Sequence, residues 1–257
     1  IAHARAAGIP AAELPQLWTG ARLAVDAPEV AGRAALWVPS TGIVDPGALT
    51  ASLVAAGRAA GGEVVTHAEV RSLEPHGGAW HLDTTRGPLV VDFVVNAAGL
   101  RADEVARAAG VPDYRVYPCR GDYYRLRPRT RYTRLVYPVK SPSSPGLGVH
   151  LTLGLDGACR LGPDAYYVTD KSDYSGGGGH EREFAEAAAK ILRGVQVEDV
   201  SYESCGIRPK LRGPHEAQER DFVVSLDRPG LVNLVGVESP GLTSALAVAR
   251  EVGRLVG

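Results

Sequence analysis

The sequence predicts an α/β chain with an α+β insertion, in which an α/β core is interrupted by an antiparallel sheet. Three observations carry this. Residues 45–110 alternate a capped helix, short Val-rich strands and a strand-turn-helix unit; Tyr114 to about Gly162 is strand-like, broken by Pro-rich turns, with no helical periodicity; and residues 221–257 read as two strands and a closing helix that return to the first core.

In chain order, Asp45-Pro46 followed by Leu49, Leu53, Ala56 and Ala60 and stopped by Gly61-Gly62 is an amphipathic helix, with Pro in the first turn and Gly at the end, expected to pack on a sheet. Strands follow at Glu63 to Thr66, Val70 to Glu74, Ala79 to Thr84 and Leu89 to Asn96, separated by the turns His76-Gly77-Gly78 and Arg86-Gly87-Pro88. Asp92 to Asn96 turns at Gly99 into a helix ending near Gly110. Within the strand-like stretch, Ser141 to Gly146 is a Pro-rich turn. Ser175 and Gly176 to Gly179 form a flexible loop, since consecutive glycines lose too much backbone entropy to lie in a helix or strand. His180 to Gly194 is a helix with Phe184, Ala188, Ile191 and Leu192 on one face; Asp221 to Ser225 and Leu231 to Val237 are strands; the last helix starts near Leu242 with Leu242, Ala245, Leu246, Ala249 and Val252 as its apolar face.

At 257 residues and 45% hydrophobic content the chain can bury a core, and the balance of 28 basic and 29 acidic residues gives no electrostatic reason for a nucleic acid or anionic membrane partner. Cys119, Cys159 and Cys205 are odd in number and widely spaced, which argues against a disulfide framework and against a metal site and fits a reducing cytoplasm. No apolar run reaches the roughly 20 residues that span a bilayer; peripheral contact with an inner membrane stays open.

Three segments carry the chemistry: Val94 to Gly99 (VVNAAG), Gly206 to Leu211 (GIRPKL) and Gly236 to Ala245 (GVESPGLTSA). Asn96-Ala97-Ala98-Gly99 places small side chains where a strand ends, so that a ligand can approach the backbone. Pro240-Gly241-Leu242-Thr243-Ser244 precedes a helix whose first N–H groups attract negative charge; the plainer role for Thr243 and Ser244 is to cap that helix. Arg208 offers two parallel donors suited to a carboxylate.

These segments, with Pro39 to Asp45 (PSTGIVD), Pro118 to Tyr123 (PCRGDY) and Leu147 to Thr152 (LGVHLT), resemble the FAD-dependent oxidoreductases of the D-amino-acid oxidase superfamily, in its L-2-hydroxyglutarate dehydrogenase/oxidase-like branch. The resemblance implies a Rossmann-type FAD-binding domain (1–110 and 201–257) and an antiparallel-sheet substrate domain (111–200). It implies that Val70, Ala97, Ala98, Gly99, Gly236, Gly241, Leu242, Thr243 and Ser244 line FAD. Arg208 would orient the substrate carboxylate, and His150 would take the hydroxyl proton as the Cα hydride leaves for flavin N5. Arg120, Tyr123 and Tyr137 would line the substrate, with Lys140 and Lys210 competing with Arg120 to hold a second carboxylate, and Ser40, Thr41 and Gly42 would help shape the pocket.

The implied substrate is a small 2-hydroxy acid such as L-2-hydroxyglutarate, with oxygen or a quinone chain as final acceptor; an amino-acid or sarcosine-like amine oxidase and a non-catalytic remnant are the alternatives. The family opens with a strand, a GxGxxG turn and a helix, a unit of ~30 residues that seats the FAD pyrophosphate. That unit is missing ahead of Ile1 and the chain contains no Met, so an N-terminally truncated fragment is expected, inactive and unstable by itself because the parallel sheet would end in an unpaired edge.

Overall fold

The computed structural model describes residues 1–139, 148–218 and 220–257, so Lys140, the Ser141 to Gly146 turn and Leu147 lie outside the described residues. Along the chain run α1 (Ala2–Ala6), β1 (Gln16–Thr19), α2 (Gly20–Asp26), β2 (Ala34–Trp37), α3 (Pro46–Ala59), β3 (Val70–His76), β4 (Ala79–Thr84), β5 (Gly87–Val91), β6 (Val94–Asn96) and α4 (Ala102–Ala108). There follow β7 (Tyr117–Leu126), β8 (Leu151–Leu153), β9 (Cys159–Leu161), β10 (Tyr166–Tyr167), α5 (Glu181–Ala189), β11 (Val200–Lys210), β12 (Val223–Arg228), β13 (Leu231–Val235) and α6 (Gly241–Val256). The chain forms two compact units. The first contains Ile1–Asp45, Gly121–Ala165 and Ser175–Gly206; the second contains Pro46–Arg120, Tyr166–Tyr174 and Ile207–Gly257.

The first unit is built on antiparallel strands. β9 lies between β7 and β8, with Leu161 opposite both Tyr124 and Leu151. These three side chains are fully buried, and α5 closes over them with Phe184, Ala185 and Ala188; the Tyr124 and Phe184 rings sit 4.2 Å apart. Each large apolar side chain so removed from water contributes roughly 1.5–3 kcal/mol. A smaller core pairs β1 with β2, stacking Trp18 on Trp37 at 5.0 Å under the Arg134 guanidinium. Val30, bridged to Leu192, joins residues 1–45 to the end of α5, which is why this segment groups with the antiparallel strands rather than with the rest of 1–110.

The second unit holds an antiparallel meander, β3–β4–β5, and a three-stranded sheet in which β13 pairs antiparallel with β12 and parallel with β6, Asn233 opposite Asn96. Trp80, 2% exposed, donates its indole N–H to the Pro229 carbonyl at 3.0 Å. α4 packs through Ala102 and Ala106, small enough to let the helix approach β13 and β3 closely.

The structure bears out a mixed α/β and antiparallel architecture and departs from expectation in particular elements. Glu63 to Thr66 forms no strand, and Leu89 to Asn96 is two strands broken at Asp92. α3 forms where its caps place it, but none of its residues is buried, so its expected packing on a sheet is not found. α6 packs by Ser244, Ala245, Val248, Val252 and Leu255, a face rotated from the expected one: Leu242 is 44% and Leu246 61% exposed. Among the described residues no helix is long and apolar enough to cross a membrane, and no group of three or more His, Cys, Asp or Glu could hold a metal ion.

Candidate functional site

In the second unit, the Asn96–Gly99 turn is held by the side chain of Asn96, 3% exposed. Its amide donates to the Ala102 carbonyl (2.8 Å) and to Asn233 Oδ1 (2.7 Å), and its Oδ1 accepts the Ala98 N–H (3.3 Å). Asn233, fully buried, passes its own amide to Asp227 Oδ2 at 2.7 Å; Asp227 also accepts from Ser225 and Tyr114 hydroxyls. Burial, and then the Asp227 carboxylate, push the Tyr114 phenol above its usual range. This network fixes the turn while Ala97 and Ala98 face outward and Gly99, at φ +57, has nothing within 4 Å of where a Cβ would stand. The backbone of this turn is thus not screened by side chains of its own.

Gly236, at φ +73, follows β13 and is buried against Leu211. The loop from Gly236 runs through the cis Ser239–Pro240 bond into α6, and Lys210, 6% exposed, ties it down through an ion pair to Glu238 at 2.7 Å. Thr243 and Ser244 do not cap the helix: their hydroxyls donate back to the Pro240 carbonyl at 2.9 and 3.1 Å, and the N-cap has no side-chain hydrogen bond. The start of a 16-residue helix is thus left without a side-chain cap behind a braced loop. Lys210 is committed to Glu238, which sets it apart from the second-carboxylate role considered for it.

Arg208 lies near the end of β11, half-buried, beside the Cys119 sulfur. Burial raises that thiol, opposed by the charge and hydrogen bonding of Arg208 and the charge of Lys210. Arg120, 3% exposed, directs Nη1 to the Asp173 carbonyl (3.3 Å) and carboxylate (3.7 Å) and lies over the Tyr166 ring, so protein groups already engage it. Val70, 40% exposed, opens β3 opposite Thr84.

The first unit holds the other predicted residues. His150, 7% exposed, directs Nδ1 to the Gly148 carbonyl at 2.9 Å. A carbonyl only accepts, so Nδ1 carries the proton and Nε2 carries the lone pair of the neutral ring. Tyr137 stacks on the imidazole, and burial followed by Tyr123 raises its phenol above the usual range. Ser40, Thr41 and Gly42 are exposed. The Gly176–Gly177 backbone is not a loose cradle: a Cβ at Gly176 would stand 2.5 Å from the Tyr202 hydroxyl, and one at Gly177 3.0 Å from the Asp122 carboxylate.

Sequence reading missed Asn233, Asp227 and Glu238. The lone Asn inside the apolar strand Leu-Val-Asn-Leu-Val was the available signal, since a buried amide requires partners.

Over 183 residues the chain is 37% identical to "L-2-hydroxyglutarate dehydrogenase, mitochondrial" of Arabidopsis thaliana, covering 64% of this chain and 37% of that protein. It is 30% identical over 220 residues to L-2-hydroxyglutarate dehydrogenase of Escherichia coli K12, covering 84% and 49%. The chain thus spans half or less of the length of these relatives. Among solved structures, the L-alpha-glycerophosphate oxidase of Mycoplasma pneumoniae with FAD bound superposes with a TM-score of 0.83 at 24% identity, covering 96% of this chain and 65% of the other. Glycine oxidase of Geobacillus kaustophilus gives 0.79 at 22%, covering 99% and 65%. The family model described as DAO, FAD dependent oxidoreductase, matches residues 2–255, and the chain belongs to that FAD-dependent family.

Proposed function

We propose that this chain is part of a FAD-dependent dehydrogenase or oxidase that converts a small 2-hydroxy acid, L-2-hydroxyglutarate or a close analogue, to the 2-oxo acid. The observation that carries the reading is the contact of His150 Nδ1 with the Gly148 carbonyl: a carbonyl only accepts, so Nδ1 is the donor and Nε2 is the nitrogen that would take the hydroxyl proton. Arg208 orients the substrate carboxylate, and Tyr123 and Tyr137 line the substrate. The Asn96–Gly99 turn, Val70, the Gly236 loop and the first turn of α6 hold the cofactor. When bound, FAD supplies the two-electron acceptor for the Cα hydride, at N5. Oxygen or a quinone chain is the proposed final acceptor, in the cytoplasm or at the inner face of its membrane.

The names of the relatives support the substrate class, and the Nδ1 contact of His150 supports the chemistry. The test is an anaerobic titration of the natural-length protein, followed by its visible spectrum, with L-2-hydroxyglutarate and with L- and D-amino acids. Bleaching by the hydroxy acid alone is expected. Bleaching only by amines would move the protein to the amine oxidases, and no flavin band would leave the non-catalytic reading.

A further inference from the structure

We propose that Tyr137 is a positioning residue for His150, holding the imidazole in place and favouring its protonated form through the face of the phenol ring. The backbone sets the pair. Val136 and Leu151 exchange both N–H···O bonds across an antiparallel bridge, at 3.2 and 2.9 Å. Tyr137 follows Val136 and His150 precedes Leu151, which makes them a directly opposed cross-strand pair. Their rings accordingly stack with centroids 4.3 Å apart and planes 19° from parallel. Together with the Nδ1–H bond to Gly148, this covers one face of the imidazole and fixes its rotation, so that Nε2 keeps one direction.

The same contact distinguishes the two protonation states. Neutral imidazole gains packing from the phenol, whereas imidazolium also gains the attraction of a cation for the electron-rich ring face. The gain appears as the proton arrives, and an interaction stronger in that state than in the ground state lowers the barrier. Tyr123 is a titratable group that acts on Tyr137. Burial, reinforced by Tyr123, keeps the Tyr137 phenol neutral near neutral pH, so its ring acts through its π face rather than as an anion.

This inference rests on His150 being the base, and the test separates the two. The His150 titration is followed by NMR in the natural-length protein with labelled histidines, its signal assigned by its loss in His150→Gln. Tyr137→Leu should lower the midpoint by about half a pH unit. Tyr137→Phe, which keeps the ring face, should leave it where it is. Pentafluorophenylalanine at position 137, similar in shape with the ring charge reversed, should lower it at least as far as Leu and serves if the Leu variant does not fold. An unchanged midpoint in the Leu or fluorinated protein overturns the proposal. If His150→Gln leaves flavin reduction by the hydroxy acid intact, the base assignment falls, and with it the catalytic part of the inference, whatever the titration shows.

Discussion

Gly236→Ala is the substitution whose cost the structure specifies most directly. The added methyl would stand 2.4 Å from Leu211 Cγ and 2.8 Å from Cδ1. These atoms cannot swing away, because Leu211 is 7% exposed and packed with Ala102, Val116 and Val235. The backbone at φ +73 adds roughly 1–2 kcal/mol for an L residue. Overpacking adds about 1–3 kcal/mol, for a total of about 2–5 kcal/mol against an ordinary stability of roughly 5–15. Urea midpoints of the natural-length protein measure this. Leu211→Ala should cost about 2–5 kcal/mol alone. In the double variant the methyl occupies the space left by the leucine, so the combined cost should fall below the sum by more than about 1 kcal/mol. Since the same shift displaces the loop before α6, FAD release should accelerate. A Gly236→Ala protein within about 0.5 kcal/mol of the parent, or additive costs in the double variant, would refute the reasoning.

Other outcomes follow from the same geometry. Asn233→Leu should destabilise by about 2–4 kcal/mol, because Asn96 and Asp227 each lose a buried partner, and should weaken FAD binding as the Asn96–Gly99 turn loosens; calorimetry and flavin release check both. Arg208→Lys should raise KM for the hydroxy acid about tenfold or more, since an ammonium does not reproduce two parallel donors; steady-state kinetics with an unchanged KM would exclude the carboxylate role. Lys171 hydrogen-bonds Glu104 and holds its carboxyl below the ordinary 4.5, although burial acts the other way. A lowered folded value means that this contribution is present above pH 4.5 and disappears as pH falls through the folded value. Urea midpoints of parent and Lys171→Gln proteins should therefore converge towards acid pH, and curves that stay parallel would count against the pairing.

Which features were legible follows from the range of the interactions that set them. α3, β4 and α6 stand close to where Pro, Gly and strand alternation put them, because caps and periodicity act over a few residues. The Asn96–Gly99 turn was readable as a place of backbone approach for the same reason. What fixes that turn was not, because Asn96 meets Asn233 across 137 residues and only the parallel register of β6 with β13 brings them together. Likewise, Lys210 looked like a spare cation beside Arg208 until Glu238, 28 residues on, was found bonded to it. Thr243 and Ser244 had the residue types of a helix cap, but the helix begins at Gly241, so both lie within its first turn and their hydroxyls donate to the Pro240 carbonyl instead. His150 is the instructive case. Its residue type and apolar setting allowed either a satisfied core histidine or a base, and the bond from Nδ1 to a backbone carbonyl is compatible with both, since a proton on Nδ1 leaves the lone pair on Nε2. In the proposed reaction, the hydrogen bond that argues for a structural role is also the one that would direct the proton to Nε2.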